Sequence, residues 1–204
     1  MEELIQEFAT VFTVVDPIGT VPVYLAVTAL LAPEKRRSVA IKATLVAAGV
    51  LIGFLVVGQL VLDAIGIELA DFQIAGGIIL FLFALSMIFG HAKQETETEA
   101  IPRSDVELAV YPLAIPSIAG PGAMLSVVVL TDNRTHPVMD QVTTAIIVLI
   151  VLSLTLALML AAGPIQRLIG NAGAAIVSRV MGLILSALAV STIITGIESR
   201  FGLG

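Results

Sequence analysis

The sequence predicts an all-α membrane protein: six transmembrane helices forming two inverted three-helix repeats, with the first and fourth helices broken at mid-membrane. Three observations carry this. Of the 204 residues, 58% are hydrophobic and only 13% charged, at a mean hydropathy of +1.07, which leaves too little polar surface to coat a globule in water. Six intervals hold no Asp, Glu, Lys, Arg or His, namely 17–33, 43–62, 72–90, 108–131, 141–166 and 180–197, each close to the roughly 20 residues that cross about 30 Å of hydrocarbon. Finally, Pro and Gly interrupt the first and fourth intervals at corresponding points.

The first span, near 8–31, contains "DPIGTVP" at 16–22. Pro17 has no N–H to continue a helix but is favoured at the first position of a new one. Asp16 is then the natural N-cap, accepting N–H groups near Gly19 or Thr20. The span therefore reads as a half-helix ending near Val14 or Val15 and a second running from Pro17 toward Leu31. A carboxylate at mid-membrane costs about 2.5–3.5 kcal/mol on insertion scales, so Asp16 is also a candidate site for a proton, a cation or a solute ammonium. Thr13 and Thr20 lie beside it.

The second span, 43–62, is unbroken, and its Gly49-x-x-x-Gly53 pattern is the one pointer to a homo-oligomer. The third, 72–90, carries "AGG" at 75–77, small residues suited to close helix packing. A polar stretch, 92–106, containing "KQETETEA", links a first repeat at 1–91 to a second at 107–204 and reads as cytoplasmic. In the fourth span, 108–131, "AGPGA" at 119–123 repeats the break, with Pro121 opening its second half and Gly120 and Gly122 giving backbone freedom. The fifth, 141–163, is bulky all round and reads as lipid-facing scaffold; the sixth is 180–197.

The halves align. "GIILFLFALSMI" (77–88) and "GLILSALAVSTI" (182–193) agree at six of twelve positions, among them Gly77/Gly182 and Ser86/Ser191, and Gly19–Thr28 can be set on Gly122–Thr131. With three spans per half, two such repeats sit upside down relative to each other. Backbone groups bared at the breaks cost several kcal/mol each in lipid, so they must line a polar cavity or pack inside protein. Helix N-termini there carry about half a positive charge and suit a carboxylate. Paired interruptions in inverted halves are the sequence pointer to a transporter's solute site.

Lys35, Arg36, Arg37, Lys42, Lys93, Arg103, Arg167 and Arg179 fall on one face and only Arg134 and Arg200 on the other. The first face is then cytoplasmic and both termini lie outside. Residues 1–7 carry three Glu and no Lys or Arg, so no cleaved signal is expected. A net charge of −6 without a basic stripe argues against nucleic acid. There is no cysteine, and neither His91 nor His136 has a partner at metal-ligand spacing, so no metal or cofactor is expected. No zinc motif, G-x-S-x-G, Cys nucleophile or paired intramembrane acid is present, so an enzyme is not expected either.

The motifs "DPIGTVPVYLAVT" (16–28), "PLAIPSIAGPGAMLSVVVL" (112–130) and "SRVMGLILSALAVSTIITGI" (178–197), in this order, resemble the MarC family of bacterial and archaeal inner-membrane proteins, also called the neutral amino acid transporter family. The resemblance spans nearly the whole chain. It implies a multi-pass protein of the cytoplasmic membrane that moves small neutral amino acids such as glycine and alanine. By position it places the family's DPxG element on Asp16, Pro17 and Gly19, and its AGPGA element on Ala119, Gly120, Pro121, Gly122 and Ala123.

The expected function is secondary active transport of glycine and alanine, coupled to protons or sodium through Asp16, with export or a channel for other small polar metabolites as the alternative. The expected solute-binding set is Thr13, Asp16, Pro17, Gly19, Thr20, Ser117, Ala119, Gly120, Pro121, Gly122 and Ala123. A zwitterion would offer its carboxylate to the helix N-termini and its ammonium to Asp16, while Gly and Ala linings admit only a small side chain. Rocking one repeat on the other would alternate access.

Overall fold

The computed structural model describes residues 2–89, 104–131 and 138–203, all helical or connecting and without a strand among them. Most of the 92–106 stretch, and His91, Arg134 and His136, lie outside the described residues. The elements are α1 (Glu2–Val15), α2 (Pro17–Val27), α3 (Pro33–Ile65), α4 (Leu69–Phe89), α5 (Asp105–Leu108), an irregular winding Ala109–Ile118, α6 (Pro121–Leu130), α7 (Val138–Leu160) and α8 (Ala162–Phe201). Five helical stretches are long and apolar enough to cross a membrane, or six if the bent pair Asp105–Ile118 and Pro121–Leu130 is one span.

Proline sets the starts. Pro17, Pro33 and Pro121 each stand in the first turn of their helix, where a missing N–H costs nothing. The α2–α3 turn is closed by Arg36, whose guanidinium donates to the carbonyls of Leu31 (2.9 Å) and Ala29 (2.7 Å). Ser104 and Glu107 cap α5 reciprocally, each side chain taking the other's backbone N–H, so helix begins inside the stretch read as linker. Gly170, at φ 65° and ψ 179°, kinks α8 where a side chain would be strained.

The fourth span departs from the expected pair of half-helices. α6 starts at Pro121, but ahead of it only four residues are regular helix; over Ala109–Ile118, Tyr111 and Ile115 are extended, each followed by a cis peptide bond to Pro112 or Pro116. Two prolines four residues apart remove two N–H donors and push the residues before them out of the helical region. The winding meets α6 at a bend of 56°.

Buried side chains of the described residues form two core clusters, bridged where α2 packs on α8 and α6 on α4. The main core joins α1, α2, α3, the winding, α6 and α7, through Val11, Ala43, Leu51, Leu113, Ile118, Val127, Val148 and Leu152. A second cluster of Leu80, Ala84, Leu185 and Ala189 belongs to α4 and α8 alone. These two run antiparallel: Gly77 abuts Ala189 and Ile193, Gly182 abuts Ala84 and Ile88, and Gly196 abuts Ala70 and Ile74. α7 is not lipid-facing scaffold. It buries Ile147, Val148, Val151, Leu152, Thr155 and Met159 and packs on α1, α2 and α3; only its other face, with Val142, Ile146, Leu149 and Ile150, is exposed.

The contacts come in reciprocal pairs. α2 lies on α8 and α7, as α6 lies on α4 and α3; α1 lies on α6 and α7, as the winding lies on α2 and α3. α2 and α6 even end alike, on Thr28 and Thr131, whose hydroxyls donate to the carbonyls of Tyr24 and Val127. A Cβ at Gly49 or Gly53 would meet nothing within 4 Å, so that pair supports no packing within the chain.

Arg200 fastens one end of the α4–α8 pair, at 2.9 Å from Glu68 and 3.2 Å from Asp71. All three side chains are well exposed, and exposed pairs contribute about 0–1 kcal/mol. Arg200→Met is therefore expected to shift the unfolding free energy in detergent by less than about 1 kcal/mol. A larger loss would mean that this end is shielded from water.

Candidate functional site

The site is organised by Asp16. α1 ends as the Asp16 N–H donates to the Phe12 carbonyl (3.0 Å), and α2 begins as the Asp16 carbonyl accepts from Thr20 (3.0 Å). Between them Asp16 adopts left-handed dihedrals, φ 49° and ψ 65°, a conformation Asp tolerates better than most side chains but at a cost. Pro17 offers no N–H, so the Thr13 carbonyl loses its helical donor. The Asp16 side chain is turned back onto α2, with Oδ1 accepting from the Gly19 N–H at 2.9 Å.

This explains the glycine of the D-P-x-G element. A Cβ at position 19 would lie 2.0 Å from Asp16 Oδ2 and 2.6 Å from its Cγ, so only Gly lets the carboxyl sit against the helix start. The α2 N-terminus is thereby met by the protein's own carboxylate, and is not the free anion site that the sequence reading assigned to a solute. α6 has no side-chain cap.

Asp16 is 3% exposed and forms part of the wall of a cavity of about 590 Å³, a size typical of ligand sites. The cavity lies between the two clusters. α2 contributes Asp16, Gly19 and Thr20, the winding contributes Ser117 and Tyr111, α4 contributes Ser86 and Met87, and α8 contributes Ser178 and Arg179. The Ser117 and Thr20 hydroxyls are 3.4 Å apart, a long contact joining the winding to α2. Asp16 Oδ2 has no donor, and Arg179 no ion-pair partner, among the described residues.

Of the residues singled out from sequence, Asp16, Gly19, Thr20 and Ser117 meet in this wall. The others stand elsewhere. The Thr13 hydroxyl donates to the Ala9 carbonyl at 2.7 Å. Pro17 is buried at the start of α2. Ala119 and Ala123 are main-core residues. Gly120 fits against the Pro116 carbonyl and Gly122 against Leu80, while Pro121 opens α6. Phe83, Met87 and Tyr111 line the cavity beside Gly19, Ala26 and Ala175, so its lining is not confined to small residues.

Arg179 and Ser178 are the residues sequence reasoning passed over. Arg179 counted only as a boundary charge, because the charge-free interval starts after it, yet α8 is continuous helix from well before it. The usable signal was energetic: an Arg within a turn of a span demands a partner or water.

Comparison with known proteins gives a match to the description "MarC family integral membrane protein" over residues 1–201. The chain is similar to the UPF0056 membrane protein PYRAB13050 of Pyrococcus abyssi, at 34% identity covering 100% of both chains. It is also 34% identical to the UPF0056 membrane protein MJ1677 of Methanocaldococcus jannaschii, covering 97% of each. With the UPF0056 inner membrane protein YhgN of Escherichia coli the identity is 31%, over 97% of this chain and 98% of that one. No solved structure matches.

Proposed function

The chain belongs to the MarC family of integral membrane proteins, and from that premise we propose that it is a secondary transporter of small neutral amino acids in the cytoplasmic membrane. It is built as two inverted repeats whose first helices are discontinuous. One observation carries the reading: a buried carboxylate, held where the first span is interrupted, forms part of the wall of a cavity lined by helices of both halves. The reciprocal helix contacts and the Gly77/Gly182 exchange support the inverted repeat.

Charge placement favours a zwitterion. Asp16 Oδ2 can accept from an ammonium, and Arg179, the cation in the same wall, can take the carboxylate in a two-pronged hydrogen bond. Thr20, Ser86, Ser117 and Ser178 supply hydroxyls around them. Asp16 can also accept a proton or a sodium ion as the coupling species. The cavity lining reaches Val27 and Phe89 at the ends of α2 and α4, and Arg179, the cytoplasmic side by the charge bias. Access alternates by moving the α4–α8 pair against the rest, one helix from each half, in place of the rocking of whole repeats that the sequence suggested.

Counterflow of radiolabelled glycine or alanine in proteoliposomes tests the proposal. Unlabelled amino acid inside is expected to drive a transient, saturable accumulation of label. Linear flux without counterflow would assign a channel, and no response to either amino acid would remove them as substrates.

A further inference from the structure

We propose that a groove on the outer side of α2 binds the hydrocarbon chain of an anionic phospholipid, with Arg167 holding its phosphate. The inference needs only that the protein spans a membrane, and is independent of what it carries. α2 separates two hollows. One face, with Asp16, Gly19 and Val23, lines the cavity described above. The other, with Ile18, Val21 and Leu25, lines a groove of about 280 Å³ completed by Leu158 of α7 and by Ile165 and Val177 of α8. Pro22 borders both. Being inside α2, it has no N–H for the Ile18 carbonyl, so the helix is weakened where the two hollows share a wall. A chain lying in the groove backs that weak point.

Apolarity, length and charge name the occupant. Gln166 is the polar member of the lining, and Ile18 is 40% exposed, so in a bilayer the groove opens on hydrocarbon. From Ile18 to Leu25, seven residues of helix cover about 10 Å, which fits within the roughly 15 Å that one leaflet contributes to the hydrocarbon core. Arg167 follows Gln166 and is exposed, without an ion-pair partner among the described residues. Leu168 beside it is 87% exposed. A cationic and an apolar side chain, both bare just before the Gly170 kink, mark the level where lipid tails meet headgroups. A guanidinium there takes a phosphate in a two-pronged hydrogen bond. By the charge bias the same face carries Lys35, Arg36, Arg37, Lys42 and Arg179 against Glu34, Asp105 and Glu107. That excess favours a headgroup of net negative charge over one that brings its own ammonium.

The chain has no tryptophan, so a single introduced Trp in the full-length protein reports one position. Ile18→Trp, in the groove wall, is compared with Leu149→Trp, on the exposed face of α7, in vesicles carrying chain-brominated phosphatidylglycerol or phosphatidylcholine. At 18, brominated phosphatidylglycerol is expected to quench with an apparent affinity at least about threefold above that of phosphatidylcholine. At 149 the two lipids are expected to quench alike. Adding Arg167→Gln is expected to abolish the preference at 18. Val177→Trp, on the facing helix, is the second probe for the case that Trp at 18 unfolds the protein. Equal quenching by both lipids at the groove positions, or a preference that Arg167→Gln leaves intact, overturns the proposal. So does a groove Trp that neither lipid quenches, which would mean that a second copy of the chain or another protein covers it.

Discussion

Asp16→Asn is expected to leave the protein folded and monodisperse while counterflow of glycine falls by roughly ten- to hundredfold. The amide keeps what the backbone needs. Asn is as good an N-cap as Asp and as tolerant of the left-handed region, so its side-chain oxygen can still accept the Gly19 N–H that Oδ1 accepts now. What disappears is the charge, the part directed at a solute ammonium or a coupling cation. A hydrogen bond to a charged group contributes about 1.5–3 kcal/mol, which converts to that range of affinity. Asp16→Ala should differ in kind, adding a stability loss of about 0.5–2 kcal/mol for the cap. Gradient-driven uptake at the wild-type rate in a well-folded Asp16→Asn protein would remove Asp16 from the solute's path.

The second large effect is expected in stability. Gly77→Ala places a methyl 2.6 Å from Ile193 Cγ1 and 3.1 Å from the Ala189 carbonyl, and Gly182→Ala places one 2.9 Å from both the Ala84 carbonyl and Ile88 Cγ1. Side chains can turn aside, but a carbonyl on a helix cannot, so α4 and α8 must separate. Overpacking of this kind costs about 1–3 kcal/mol, and the loss falls on a small core, Leu80, Ala84, Leu185 and Ala189. The two variants should lose similar amounts, and the double variant less than their sum, because either methyl already parts the same pair. Gly49→Ala, with nothing within 4 Å of its Cβ, serves as the control and should be neutral or slightly stabilising. Unfolding in mixed micelles titrated with denaturing detergent measures all four. A Gly77→Ala protein as stable as the parent would contradict the close helix approach.

How much of this was legible in the sequence depends on the kind of signal. Asp16 and Pro17 were, because a missing N–H and a capping carboxylate act within one turn, and α2 starts where they dictate. So was close helix packing at Gly77 and Gly182, since close approach restricts residue type directly. The irregular winding was missed although Pro112 and Pro116 announce it; attention to the glycines of 119–123 concealed that two prolines alone unmake the preceding half-helix. α7 was misplaced for a deeper reason. Lipid and protein interior are equally apolar, so a uniformly bulky helix gives no hint of its neighbour, and only packing puts Val148 and Val151 at the centre. The split into two clusters crosses the repeat boundary, and hydropathy says nothing of partners so far apart in the chain. Arg179 was visible, but as a boundary charge and not as part of a wall.

The α4–α8 partnership also bears on how the protein is made. More than seventy residues separate the two helices, so α4 enters the bilayer with Gly77 uncovered and waits there until α8 is synthesised. The cavity lacks the part of its wall formed by Ala175, Ser178 and Arg179 until then. A nascent chain released before Ala162 has α4 without its partner helix, so α8 is the element that both covers Gly77 and completes the cavity.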